Sequence, residues 1–287
     1  MSKNALALGG GGMRGFTHIG LLEVIERLEL KVDMIGGTSI GAVIAALYAA
    51  GCSSAEILKF CLKVESRALP RSLFSGDTLL LTHGALSLRH AGMIDSVVVE
   101  HVMGEVLAEL GNPTFQSLKL PLVIAAVDIN TAELVLFTSD AAAFPPMDNV
   151  VIYDDAPLEV AIRASCSFPI VFSATPFDGR ELVDGGVILN VPTWPLRNMG
   201  ADRILASIMI NSEQPRESGN LYFRAVRALD IMSAANSYYT SEPADAVFRT
   251  DVSGIGVFTL GEGMEAYLRG RREAELQAEL LVQTLGG

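Results

Sequence analysis

Short apolar runs alternate with helix-period patterns along the first two hundred or so residues of this 287-residue chain. Ala5–Leu8 predicts a brief buried strand. Gly15 to about Leu30 predicts a helix, with an imperfect apolar stripe through Ile19, Leu22, Ile25 and Leu28. Met34–Ile35 predicts a second short strand, followed by the glycines of GGTSIG and a small-residue helix over Ile40–Ala50 that Gly51 ends. Ser53-x-x-Glu56 is a capping-box pattern and opens a helix over Ser53–Arg67. Residues 68–93 break the rhythm. They are Leu-rich but interrupted by Pro70, Gly76, Gly84 and Gly92, and they read as a loop or mobile cover.

Further along, a helix is expected over Ser96–Leu110, strands over Leu122–Val127 and Leu134–Thr138, and a short helix over Leu158–Ala164. Ile170–Ser173 reads as extended. Glu181–Val183 reads as a strand running into Asp184-Gly185-Gly186, and Ile204–Ile210 as a buried strand. After a polar break at residues 211–220, helical patterns over Leu221–Tyr239 and Met264–Thr284 flank a strand-like stretch around Gly256–Leu260. The βα alternation predicts an α/β fold, a mainly parallel sheet with helices on both faces. Residues 5–210 form the expected α/β/α domain, and residues 211–287 a mainly helical extension packed on it.

Apolar residues make up 50% of the chain and charged residues 19%, with a net charge of −12 and a mean hydropathy of +0.38. So apolar a composition excludes a disordered chain. The acidic balance excludes a nucleic-acid binder, which needs cations to neutralise phosphates. The best uncharged run, Ile40–Gly51, falls short of the ~20 residues that span a bilayer. The apolar excess therefore belongs to buried strands and small-residue helices. The start MSKNALALGGGG lacks the pattern of a signal peptide, which predicts a cytoplasmic protein. Cys52, Cys61 and Cys166 are expected to be free thiols, Cys166 a buried one. His18, His83, His90 and His101 are scattered without metal-ligand spacing.

Two motifs carry chemistry. Gly9-Gly10-Gly11-Gly12-Met13-Arg14-Gly15 lies between the first strand and the first helix, where glycines free the backbone and leave N–H groups open to an anion. Gly10-x-Gly12-x-x-Gly15 also satisfies a dinucleotide-binding pattern, with Asp33 near the spacing of a ribose-binding acid, so a nicotinamide-dependent oxidoreductase is one alternative. A P-loop is excluded, because Arg14-Gly15-Phe16 stands where Gly-Lys-Ser/Thr is required. The third reading is an oxyanion hole. A nucleophile for it is offered by Gly37-Thr38-Ser39-Ile40-Gly41, a G-x-S-x-G turn between strand and helix that would hold Ser39 exposed. No histidine follows His101, so a Ser–Asp–His triad in that chain order is impossible. Asp184, at the end of an apolar strand and followed by two glycines, is the best candidate base.

These elements, in this order, resemble the patatin-like phospholipase family. The resemblance runs through ALALGGGGMRGFTHIGLLEVIE, DMIGGTSIGAVIAALYAAG, LPLVIAAVDINTAELVLFTS, AIRASCSFPIVFSATPFDGRELVDGGVILNVP and MGADRILASIMI, and covers about residues 5–210. It implies a three-layer α/β/α sandwich and a serine acyl hydrolase of phospholipase A or lysophospholipase type. Such an enzyme works through a Ser–Asp dyad and an acyl-enzyme, without cofactor or metal. By resemblance Ser39 is the nucleophile, Asp184 the base, and Gly10, Gly11 and Gly12 the oxyanion-hole glycines. Arg14 is the motif's basic residue, with Gly15, Gly37, Gly41, Gly185 and Gly186 in support. Met13 departs from the small residue of many members, but the donors are backbone N–H groups. The implied partner is a lipid or acyl ester, met in transient contact with a membrane surface. For such a substrate the leucines of residues 68–93 offer an acyl groove, with Arg67, Arg71 and Arg89 to meet phosphate or a membrane surface; the alternative is a surface loop whose leucines simply pack on the core. A lipid-sensing regulatory protein on the same fold is the other alternative, against which the joint presence of Ser39, Asp184 and the glycine loop speaks.

Overall fold

The structure is a computed structural model and describes residues 2–67, 92–211 and 221–286. The expected cover at residues 68–93 lies almost wholly outside them. Strands β1 (Asn4–Leu8), β2 (Met34–Thr38), β3 (Gly92–Ile94), β4 (Leu122–Asp128), β5 (Leu134–Thr138) and β6 (Val150–Tyr153) come first. They are followed by β7 (Ile170–Phe172), β8 (Thr175–Phe177), β9 (Arg180–Asp184), β10 (Arg203–Ile210) and β11 (Ala246–Asp251). The helices are α1 (Phe16–Arg27), α2 (Ile40–Ala49), α3 (Ser54–Arg67), α4 (Val97–Glu109), α5 (Leu158–Cys166), α6 (Thr193–Asn198), α7 (Leu221–Ser241), α8 (Gly263–Leu276) and α9 (Ala278–Leu285).

The main sheet runs β11-β10-β1-β2-β4-β5-β6. It is parallel from β11 through β4, while β5 joins β4 antiparallel. Strand side chains alternate between faces, and the core divides accordingly. Leu6, Leu8, Ile35, Ile124 and Phe137 pack with α1, α2 and α5 on one side. Ala5, Ala7, Met34, Val123 and Leu136 pack with Leu196 and Met199 on the other. The three-layer α/β/α sandwich with a mainly parallel sheet is therefore the observed architecture.

Two local features match the sequence closely. Ser53 and Glu56 bond reciprocally at the start of α3, the Ser53 N–H donating to Glu56 Oε2 at 2.8 Å. The β2–α2 turn is as tight as G-x-S-x-G implies. A Cβ on Gly37 would collide with the Gly41 carbonyl, and one on Gly41 would meet Leu8 and lie 2.8 Å from the Gly9 carbonyl oxygen. Both obstacles are backbone and cannot swing aside. Gly41→Ala is expected to cost about 3 kcal/mol, the upper end of an overpacking penalty, in urea unfolding. An unchanged midpoint would show that the helix does not sit this close to β1.

The C-terminal third differs from expectation. The strand falls at Ala246–Asp251, parallel to β10, not around Gly256–Leu260. The latter stretch is bounded by Gly254 and Gly261, both at positive φ, and its Val257 carbonyl bonds the Met13 N–H of the glycine loop. Its apolar residues cover the site instead of joining the sheet. The expected Met264–Thr284 helix is broken into α8 and α9 at Gln277, whose amide reaches across to the Arg249 carbonyl. Among the described residues no helix is long and apolar enough to cross a membrane.

Candidate functional site

The site forms where two strands meet end to end along β4. In register, Thr38 at the end of β2 faces Ala125, and Asp184 at the end of β9 faces Ala126. β2 runs parallel to β4 and β9 antiparallel to it, so their last residues converge on consecutive positions of one strand. Ser39 follows Thr38 directly. This is the geometric reason why two residues 145 positions apart in sequence become neighbours, roughly (184 − 39).

Ser39 takes φ 56° and ψ −128°, a backbone conformation that L-residues rarely adopt. Its N–H donates to Ser165 Oγ at 2.8 Å, and the preceding Thr38 hydroxyl donates to the Leu189 carbonyl at 2.9 Å. Asp184 is 2% exposed. Its Oδ1 accepts the Gly186 N–H at 2.8 Å, while Oδ2 is buried without a hydrogen-bond partner. Burial pushes the carboxyl up to about 6, opposed by the Ser39 hydroxyl and the Gly186 N–H. Gly185 packs against the Ala125 carbonyl, where a Cβ would not fit.

The glycine loop lies across the same ground. A Cβ on Gly10 would stand 3.0 Å from Ser39 Cβ and 2.6 Å from Asn190 Oδ1. The Gly10 N–H is taken by the Asn190 carbonyl at 3.3 Å. Among the described residues no hydrogen bond engages the N–H groups of Gly11 and Gly12, which open the short 3-10 turn Gly12–Gly15. Gly15 then abuts Ile40 of α2. Arg14 is buried and does not face the cavity as a free cation. Its Nε donates to the Ile255 carbonyl at 2.8 Å and its guanidinium pairs with Asp230 of α7 at 3.1 Å. His18 braces the loop from behind. Nε2 donates to the Gly9 carbonyl and Nδ1 accepts from the Ser207 hydroxyl, each at 2.8 Å, and complete burial pushes the ring down to about 4.

Ser39 and Asp184 open on a cavity of about 220 Å³ with a mostly apolar wall that includes Ile40, Val43, Val99, Met103, Phe168 and Phe258. Cys61 and Cys166 also line it. Cys166 is half-buried there, not enclosed in the core as expected. Desolvation and the Asp184 charge hold its thiol well above its ordinary value, and burial pushes Cys61 up to about 12. Both are therefore thiols at neutral pH and poor nucleophiles. The alternative ribose acid Asp33 sits at the opposite end of the sheet, before β2, where it accepts the Asn4 N–H and pairs with Lys31.

Ser165, Asn190, Asp230 and Val257 escaped the sequence reading. Each reaches the site from a segment without a motif of its own.

The family model for patatin-like phospholipase matches residues 6–197. The chain belongs to the patatin-like phospholipase family. An uncharacterized NTE family protein of Mycobacterium tuberculosis is 29% identical over 243 residues, which are 81% of this chain and 59% of that protein. Patatin-like phospholipase domain-containing protein 6 of Homo sapiens is 30% identical over 206 residues, 70% of this chain and 13% of that protein. This chain thus spans little more than half of the first relative and a small part of the second. The crystal structure of VipD from Legionella pneumophila has the same fold, with a TM-score of 0.52 at 12% identity, over 98% of this chain and 66% of that one.

Proposed function

We propose that this chain hydrolyses lipid acyl esters, with Ser39 as nucleophile, Asp184 as base and the glycine loop as oxyanion hole. Family membership supports a lipid hydrolase. The observation that carries the dyad is the buried, unpartnered Asp184 Oδ2 beside a serine held in a strained turn. In resting enzymes such catalytic hydrogen bonds are often long and tighten only when substrate is bound.

Asp184 takes the Ser39 hydroxyl proton as Oγ bonds to the ester carbonyl carbon, whose π electrons move onto oxygen. The free N–H groups of Gly11 and Gly12 are the donors for that oxyanion, each commonly worth ~3 kcal/mol in the barrier. Gly10, with its N–H occupied, shapes the loop. Collapse of the tetrahedral species expels the alcohol, which receives the proton from Asp184. Water then attacks the acyl-enzyme, again losing its proton to Asp184, and the carboxylic acid leaves as the proton returns to Ser39. The apolar cavity suits the acyl chain. A purely lipid-sensing protein has no use for a buried carboxylate oxygen left unpaired beside a serine, and the dinucleotide reading lacks its acid.

The test is hydrolysis of a p-nitrophenyl ester and of a phospholipid by the wild type and by Ser39→Ala. Loss of turnover in the variant is expected, together with fluorophosphonate labelling of Ser39 in the wild type. Because the base works only when ionised, kcat/KM should fall about tenfold per pH unit below about 6. Equal rates in the two proteins refute the enzyme reading.

A further inference from the structure

The end of α5 holds both members of the dyad. Ser165 Oγ accepts the Ser39 N–H at 2.8 Å, and two residues on the Ser167 carbonyl accepts the Asp184 N–H at 3.0 Å. A single three-residue span, Ser165 to Ser167, therefore ties the backbone of Ser39 to that of Asp184. Ser165 and Ser167 are fully buried, so neither bond is exchanged for one to bulk water. Ser167 is itself fixed by its hydroxyl, which donates to the Arg163 carbonyl at 2.9 Å and meets Thr175 Oγ1 at 2.9 Å.

We propose that Ser165 is a positioning residue for the reaction, fixing through its Oγ the peptide plane that enters Ser39 and so the direction of the nucleophile. This rests on the reading of Ser39 as nucleophile. Residues in strained backbone regions persist only where their surroundings over-determine them. The Ser165 bond restrains the peptide on the φ side of Ser39, and the helix bonds that Ala42 and Val43 make to the Ser39 carbonyl restrain the other. Removing the acceptor frees that peptide to rotate and leaves a buried N–H unpaired, while the hydroxyl, the base and the acyl cavity all remain. The signature is thus a lower kcat at an unchanged KM.

The test compares wild type, Ser39→Ala, Ser165→Ala and Thr138→Ala on a p-nitrophenyl ester, with unfolding measured in parallel. Thr138→Ala is the control. It removes an equally buried hydroxyl that accepts a backbone N–H, that of Asp140 at 3.1 Å, at the end of β5 beside Val123 and away from the site. Ser165→Ala is expected to lose about 10- to 100-fold in kcat, the scale of a misplacement of about 1 Å, with KM within about twofold and the pH midpoint unmoved. Thr138→Ala should keep most of its kcat at a similar loss of stability. Ser165→Cys, which retains a weak acceptor in nearly the same volume, should fall between wild type and Ser165→Ala, and it decides the matter if Ser165→Ala does not fold. A Ser165→Ala rate within twofold of wild type while Ser39→Ala is dead overturns the positioning role alone. So does a Thr138→Ala variant that loses as much kcat. Equal turnover by wild type and Ser39→Ala overturns the serine reading itself, and the positioning role with it.

Discussion

Asp184→Asn is expected to lower kcat by about 10²- to 10⁴-fold, the usual worth of a positioned base, and at the same time to stabilise the fold at pH 7 by about 3 kcal/mol. The second effect follows from the first residue property that the site requires. Burial raises the Asp184 carboxyl from 3.8 to about 6, and each pKa unit is worth about 1.4 kcal/mol. A raised carboxylate pKa means that the native state holds its proton longer than the unfolded chain. The ionised group thus costs stability above about pH 6, and the cost vanishes as pH falls to 3.8. Asparagine has no charge to desolvate and still accepts the Gly186 N–H.

His18 makes this prediction sharper. Its native value is pushed down to about 4 from 6.5, so the unfolded chain takes up a proton first. Stability is complete above about pH 6.5 and is lost progressively down to pH 4, by about 3 kcal/mol. The two groups titrate over nearly the same window with opposite sign. In the wild type they largely offset each other between pH 6 and 4. Asp184→Asn leaves the histidine slope exposed. Urea unfolding at pH 7, 5.5 and 4 should show a variant that starts more stable than wild type and converges on it in acid. Parallel curves across this range would mean that Asp184 is not buried as a carboxylate.

The site was legible in the sequence where its constraints are local. G-x-S-x-G can be read because Gly37 and Gly41 answer to obstacles a few residues away or on the adjoining strand. The alternation of Ala5, Leu6, Ala7 and Leu8 likewise reports a strand with a core on each face. Asp184 was readable as a strand end followed by two glycines, but nothing local says that β9 meets β2 on β4. That fact lives in the register of Ala125 and Ala126. Ser165 and Asn190 act through one hydrogen bond or one carbonyl each, and their sequence neighbours resemble ordinary helix and turn residues. Val257 and Phe258 misled because apolar residues in a row imply a strand, whereas here they cover the glycine loop and line the cavity. Val150–Tyr153 was missed as a strand for the opposite reason. It lies at the sheet's end, only half-buried on both faces, so its pattern is weak.

Ser39→Gly is expected to be as inactive as Ser39→Ala yet about 1 kcal/mol more stable than it. Both variants lack the hydroxyl, and loss of a nucleophile from a unit that acts together costs about 10⁴-fold or more in kcat. They differ in the backbone. At φ 56° and ψ −128° a side chain carries strain of about 1–3 kcal/mol. Alanine keeps its Cβ and that strain, while glycine occupies such conformations freely. Glycine also gives the unfolded chain more freedom, an opposing effect of about 0.5–1 kcal/mol, so only part of the relief survives as stability. The measurement is urea unfolding of the two variants side by side, with fluorophosphonate labelling confirming that neither reacts. If Ser39→Ala proves the more stable, the turn is not strained and its geometry follows from packing alone. If the glycine variant is more stable than wild type as well, the fold has given up stability to keep a side chain at this position, as the proposed role of Ser39 requires.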